Sequence, residues 1–225
     1  MLSRVVRRNP GGESMGRYVD GCIVRLPQLA PQLDAMEAAV DMIVAAACRG
    51  NKVLTCGNGG SAADAEHIVG ELMKGFLLPR RLAPERVRRL REGGCPEPLA
   101  AELQQGIPAL SLVAGVALPT AFANDVRPEY VFAQQVYSLG NAGDVLLALS
   151  TSGNSANVLA ALQVARALGI GTIGLTGSRP CALAELVDVH IAVPETETAL
   201  VQELHLPVYH ALCADVEQAL FGEQA

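Results

Sequence analysis

The hydrophobic positions change period several times along the chain, and each change marks an element. Over residues 16–50, Leu33, Met36, Val40, Ile43, Val44 and Ala47 recur at steps of three and four, the spacing of one helix face. That pattern stops at Arg49-Gly50-Asn51. KVLTC (52–56) is then a short apolar run, followed by Gly57-Asn58-Gly59-Gly60 and a helix-forming stretch from Ser61. IPALSLVAG (107–115), DVLLALS (144–150), TIGLTGS (172–178) and VHIAV (189–193) are further runs of strand length. Between them, 116–139 read as one or two helices, SANVLAALQVARALG (155–169) as another, and 181–187 as a short one. A last helix is predicted from Leu200 to Leu220. Alternating strands and helices predict an α/β domain, a parallel sheet covered on both faces.

One segment departs from this pattern. Residues 77–107 carry six arginines between Arg80 and Arg91 and four prolines, and predict two short helices inserted into the domain. The bland reading, a solvated amphipathic helix, is favoured over a lid on a binding site. GNGGSAAD and TSGNSANV echo one another, each opening a helix after a strand, but no repeat of fixed period is present.

Composition narrows the class. At 225 residues the chain suits one domain, 16–225, behind a basic N-terminal stretch read as a disordered tail over 1–15, with Met15 a second candidate start. Half of the residues are hydrophobic and 18% charged, which supports a sizeable core; aromatics are only 4%, so Ala, Leu and Val must fill it. A net charge of −6 argues against a nucleic-acid surface. No apolar stretch reaches the roughly 18 residues of a spanning helix, and the N-terminus lacks the apolar core of a signal peptide. The six cysteines are scattered without a CxxC pair, as reduced thiols in a cytoplasm would be.

Two loops carry the first chemistry. In a parallel sheet, ligands gather where strand C-termini meet helix N-termini. CGNGGS (56–61) supplies Gly57, Gly59 and Gly60, which let the backbone turn and approach a ligand, with Ser61 as helix cap or hydroxyl donor. LSTSGNS (149–155) supplies Ser150, Thr151, Ser152 and Ser155 around Gly153 and Asn154. Hydroxyls beside a helix start bind phosphate without Lys or Arg. Neither loop is a Walker A or a GxGxxG fingerprint, so a sugar phosphate is preferred to a nucleotide.

Polar clusters follow. His67 and Glu71 are spaced i, i+4 and project from one helix face, able to share a metal or to divide metal binding and proton transfer between them. VQELHLPVYH (201–210) adds Gln202, Glu203, His205 and His210, while His190 lies in a strand and reads as structural. Residues eight apart on a straight helix are separated by roughly 12 Å, too far to grip one small ion. For Gln202 and His210 to serve one site, the helix bends at Pro207, or Gln202 precedes it, or a second subunit contributes.

CGNGGSAADAEH with Glu71, ANDV, GDVLLALSTSGNSANV and QELHLPVYH together resemble the sugar isomerase (SIS) domain family, and within it the phosphoheptose isomerases. The likeness runs from residue 16 onward except over 77–107. It implies a five-stranded parallel sheet in a Rossmann-like three-layer sandwich, a homotetramer, and sites built between subunits. It implies phosphate binding by Ser61, Ser150, Thr151, Ser152 and Ser155, and places Asn58, Gly59, Gly60, Asn124 and Asp125 against the sugar. Its zinc ligands are His67, Glu71, Gln202 and His210, with Gln202 also touching substrate and Glu71 and His210 the acid/base pair. The activity implied is conversion of sedoheptulose 7-phosphate to an aldose 7-phosphate through an enediol. Zn2+ is the implied cofactor, although His, Glu and Gln accept other divalent ions. One relative is a non-catalytic adaptor that binds a replication initiator and differs at the positions of Glu71 and His210; both residues are present here, which favours an enzyme. The chain departs from the pattern at Ala199, where an acidic residue is usual, and this leaves another ketose phosphate as an alternative substrate.

Overall fold

A computed structural model describes residues 17–222. The stretch read as a disordered tail, with Met15, lies outside the described residues. Five parallel strands form one sheet: β1 (Val53–Cys56), β2 (Ala109–Ser111), β3 (Val145–Leu149), β4 (Gly171–Thr176) and β5 (Val189–Ala192), in the order β2-β1-β3-β4-β5. Leu54 pairs with Leu110 on one side and Leu146 on the other, and Leu147 continues the register to Ile173. Strands β1 and β3 are buried at every position, so both read as continuous apolar runs rather than alternating ones.

Alternation is still present, but it sorts residues between two cores. Val53, Val145, Leu147, Ile173 and Leu175 face a layer built from α1 (Arg17–Arg25), α2 (Leu33–Cys48), α3 (Gly60–Met73) and α9 (Thr198–Phe221). Leu54, Cys56, Leu146 and Ala148 face α7 (Val131–Leu139) and α8 (Ala156–Ala167) on the other side. The chain leaves β1 through α3 toward β2 on one side, and leaves β3 through α8 toward β4 on the other. The crevice between the C-terminal ends of β1 and β3 is therefore the point where the winding reverses, the usual ligand position in such sheets.

The continuous helical pattern over 16–50 is interrupted in the structure. A 3-10 turn at Pro27–Gln32 separates α1 from α2, because Pro27 and Pro31 cannot donate the hydrogen bonds an α-helix needs there. The buried Asp215 carboxylate of α9 accepts the backbone N–H groups of Tyr18 and Val19, capping the start of α1. At the sheet's opposite end, Asp144 accepts from Asn51, from the Lys52 backbone and ammonium, and from the Asn141 backbone, locking β1 to β3.

Residues 77–107 form the two expected short helices, α4 (Pro84–Glu92) and α5 (Glu97–Glu102). Helix α4 buries no residue. Helix α6 (Ala117–Asp125) also buries none, although it is largely apolar, and leads through a turn at Pro128–Tyr130 into α7. No helix among the described residues is long and apolar enough to cross a membrane.

Candidate active site

The two glycine and serine loops meet at the crevice. Their residues are joined by a reciprocal amide pair: Asn58 Nδ2 donates to Asn157 Oδ1 and Asn157 Nδ2 to Asn58 Oδ1, each at 2.9 Å. Helix α3 starts at Gly60 after Gly59, whose φ of +57° only glycine adopts without strain. Ser61 is thus in the first turn and buried rather than at the cap position. Ser155 does stand at the cap of α8, yet its hydroxyl bonds that of Ser150 at 3.0 Å instead of capping the helix. Neither helix start has a side-chain cap, so the positive ends of α3 and α8 are left for a ligand. Ser150 Oγ accepts the Gly153 N–H and Ser152 Oγ accepts the Asn154 N–H, which shapes the second loop around its hydroxyls. A Cβ on Gly153 would sit 2.4 Å from Cys181 Sγ, so this turn admits no side chain.

Helices α3 and α9 run side by side in the same direction along one face. Gln202, in the first turns of α9, lies over Gly60; a Cβ there would be 2.4 Å from its Nε2. Further along the seam, His67 Nε2 stands 3.1 Å from Glu71 Oε1 and 3.5 Å from His210 Nε2. Three further side chains that sequence patterning did not single out join this cluster. Tyr209 Oη is 3.0 Å from His67 Nδ1 and donates to Asp64 Oδ1 at 3.1 Å. Asp64 had a signal, since it precedes His67 by three on the same face. Tyr209 had none beyond adjacency to His210. Lys74, also unanticipated, donates to Glu71 Oε2 at 2.9 Å.

These contacts set the charges. Burial alone would raise the Glu71 pKa, but the hydrogen bond and charge of Lys74, helped by His67, hold it below the ordinary carboxylate value. Burial raises Asp64, only partly offset by the Tyr209 hydroxyl and the two imidazoles. His210 is lowered by burial and then by the nearby His67. Tyr209 is pushed up by burial and by the Asp64 charge, and keeps its proton. These contacts favour the ionised form of Glu71 and the neutral form of His210.

Other expected site residues are placed apart. Asn124 and Asp125 close α6, exposed and bonded to each other, with no hydrogen bond to either loop among the described residues. Helix α9 is continuous through Pro207, and Gln202 lies inside it, so the eight residues between Gln202 and His210 span roughly 12 Å. His190 lies in β5, its Nε2 2.8 Å from Thr176 Oγ1. His205 is fully buried, with no partner on either ring nitrogen.

The donors suit a divalent ion in kind and in pairs. Adjacent ligand atoms of a tetrahedral zinc are about 3.3 Å apart for bonds of about 2.0 Å, close to both separations from His67 Nε2. Within one chain, however, no three His, Cys, Asp or Glu side chains among the described residues are gathered to hold a metal ion.

The family follows from comparison with known proteins. The SIS domain model matches residues 17–107 and 99–177. A phosphoheptose isomerase of Rhodospirillum rubrum is 41% identical over 199 residues, 88% of this chain and 92% of that protein. One from Burkholderia pseudomallei is 38% identical over 192 residues, 85% of each. The solved phosphoheptose isomerase of Neisseria gonorrhoeae superposes with a TM-score of 0.70 at 30% identity, covering 89% of this chain and 95% of that one. The chain belongs to the SIS domain family, and within it to the phosphoheptose isomerases.

Proposed function

We propose that the protein is an aldose–ketose isomerase that converts D-sedoheptulose 7-phosphate to D-glycero-D-manno-heptose 7-phosphate. The observation that carries this reading is the placing of two uncapped helix starts at the reversal of the sheet, at the head of a seam that holds an ionised carboxylate and an imidazole. Ser61, Ser150, Thr151, Ser152 and Ser155 hold the phosphate, and Asn58, Gly59, Gly60, Asn124, Asp125 and Gln202 lie along the sugar. Glu71 removes the C1 proton, the substrate passes through an enediol, and the pair Glu71/His210 returns a proton at C2. Anchoring the phosphate fixes the distant reacting carbons. His67, Glu71, Gln202 and His210 are the side chains that would hold Zn2+ or another divalent ion, which when bound supplies positive charge to the substrate oxygens.

The geometry also favours a site shared between copies. Ser61 and Glu71 are ten residues apart on α3, about 15 Å along its axis. Gln202 and His210 are separated in the same way. Two copies bring the loops of one chain to the acid/base pair of another. The exposed apolar side chains Val116, Leu118, Val126 and Tyr137 on and around α6 and α7 suit burial in such an assembly, a homotetramer in this reading.

The test is turnover of sedoheptulose 7-phosphate in deuterated buffer, with and without added zinc, followed by NMR. Aldose 7-phosphate carrying deuterium at C2 from wild type, and none from Glu71→Gln, establishes the reaction and its base. Binding without turnover or exchange by metal-loaded wild type would overturn it. Sedimentation of the same sample reports the number of copies.

A further inference from the structure

The asparagines of the two loops are committed in different ways. Asn154 is spent on backbone: its Oδ1 accepts the Ala182 N–H and its Nδ2 donates to the Ser152 carbonyl. Asn58 and Asn157 are spent on each other, in the reciprocal pair at 2.9 Å. These two partners differ in stiffness. Asn157 stands in the first turn of α8, next to the buried Val158. Asn58 stands on a loop between Gly57 and Gly59, the second at a φ of +57°, and is exposed. A backbone with glycine on both sides has little to restrain it, and both side-chain hydrogen bonds of Asn58 go to Asn157. Asn157 is therefore the anchor, and Asn58 the residue it holds.

The pair also sets what Asn58 offers. An amide has two hydrogens and two lone pairs, and the reciprocal contact uses one of each. Turning either amide over would set oxygen against oxygen and NH2 against NH2, so the pairing fixes both orientations. Asn58 is left with one N–H and one lone pair in fixed directions. A sugar hydroxyl both donates and accepts and can meet either, whereas phosphate oxygens accept and meet only the N–H. We propose that Asn157 is a substrate-positioning residue, which acts through Asn58 to present this donor and acceptor to the hydroxyls of the sugar. The inference rests on reading the crevice as a sugar-phosphate site.

The experiment is a double-variant cycle in affinity, read by calorimetry with sedoheptulose 7-phosphate and inorganic phosphate as the two probes. Asn157→Ala is expected to weaken the sugar phosphate about tenfold and to leave inorganic phosphate within about twofold. Asn157→Leu, which fills the same space without hydrogen bonding, behaves as Ala does. Asn58→Ala weakens the sugar phosphate at least as much, and adding Asn157→Ala to it costs no more than about a further twofold. A merely structural role would weaken both probes together. Affinity is read without turnover, so a wild type that binds the sugar phosphate but does not isomerise it sinks the isomerase reading and leaves this cycle intact. A wild type that binds no sugar phosphate overturns both. One further measurement needs no ligand: in 1H–15N spectra the side-chain amide of Asn58, assigned by its loss in Asn58→Ala, shifts on Asn157→Ala. Additive losses in the cycle, equal losses for the two probes, or an unmoved Asn58 amide would overturn the proposal.

Discussion

Arg80 and Glu217 meet across 137 residues of chain, Nε to Oε1 at 2.6 Å, with both side chains buried. The pair is fully satisfied. Arg80 also donates to the carbonyls of Glu71 and Leu72, near the C-terminal end of α3. Glu217 accepts the backbone N–H groups of Phe76, Leu77 and Leu78. The residue that fixes the helix end bearing Glu71 is thus one of six neighbouring arginines that look alike in sequence.

Removing one partner should leave a buried charge without its counterion. Arg80→Met is expected to cost about 3 kcal/mol or more, measured by urea denaturation. Arg81, exposed beside it, should tolerate Ala within about 0.5 kcal/mol. Equal effects at the two positions would contradict the assignment.

Gly60→Ala places a methyl against the far end of the Gln202 side chain, which can swing away. Stability should change by less than about 1 kcal/mol. Turnover should fall about tenfold or more, through one displaced hydrogen-bonding group. The double variant with Gln202→Ala should lose less than the sum of the two single losses, because the methyl acts in part through that side chain.

Lys74→Met should move the acidic limb of the kcat/KM profile to higher pH. Lys74 is the main influence holding Glu71 low against its burial, so without it the carboxylate takes up its proton at a higher pH. A base must be ionised to act, and the loss should appear on the acid side and vanish in alkaline buffer. A limb that stays in place would show that Lys74 does not tune Glu71.

His205 should make the fold sensitive to acid. Burial, offset only in part by the Thr176 backbone, lowers its pKa from 6.5 to about 4. Between those values the unfolded chain binds a proton that the native state refuses, so stability rises with pH across this window. The contribution is full above the unfolded value and is lost as pH falls toward 4, up to about 3 kcal/mol. His205→Leu has no such proton to bind and gives up only a weak contact with the Thr176 backbone, since neither ring nitrogen has a well-formed hydrogen bond. Urea midpoints at neutral pH and near pH 4.5 should diverge more for wild type than for the variant.

The local patterns were legible because they depend on neighbours in the chain. Apolar runs bounded by glycine gave the strands, and steps of three and four gave most helices. Both strand-to-helix loops showed in the sequence because runs of glycines and hydroxyls mark such turns. His67 and Glu71 showed because helical spacing alone puts them on one face. What the fold had to decide were relations between distant segments. Parallel packing of α3 and α9 brings Tyr209 to His67 and Asp64, and puts Gln202 over Gly60, a helix-length away from His210. Burial distinguishes Arg80 from its neighbours only once Glu217 arrives from the far end of the chain. Periodicity reports which face a side chain takes; which other side chain waits there depends on how the sheet stacks its helices, and that is a property of the whole chain.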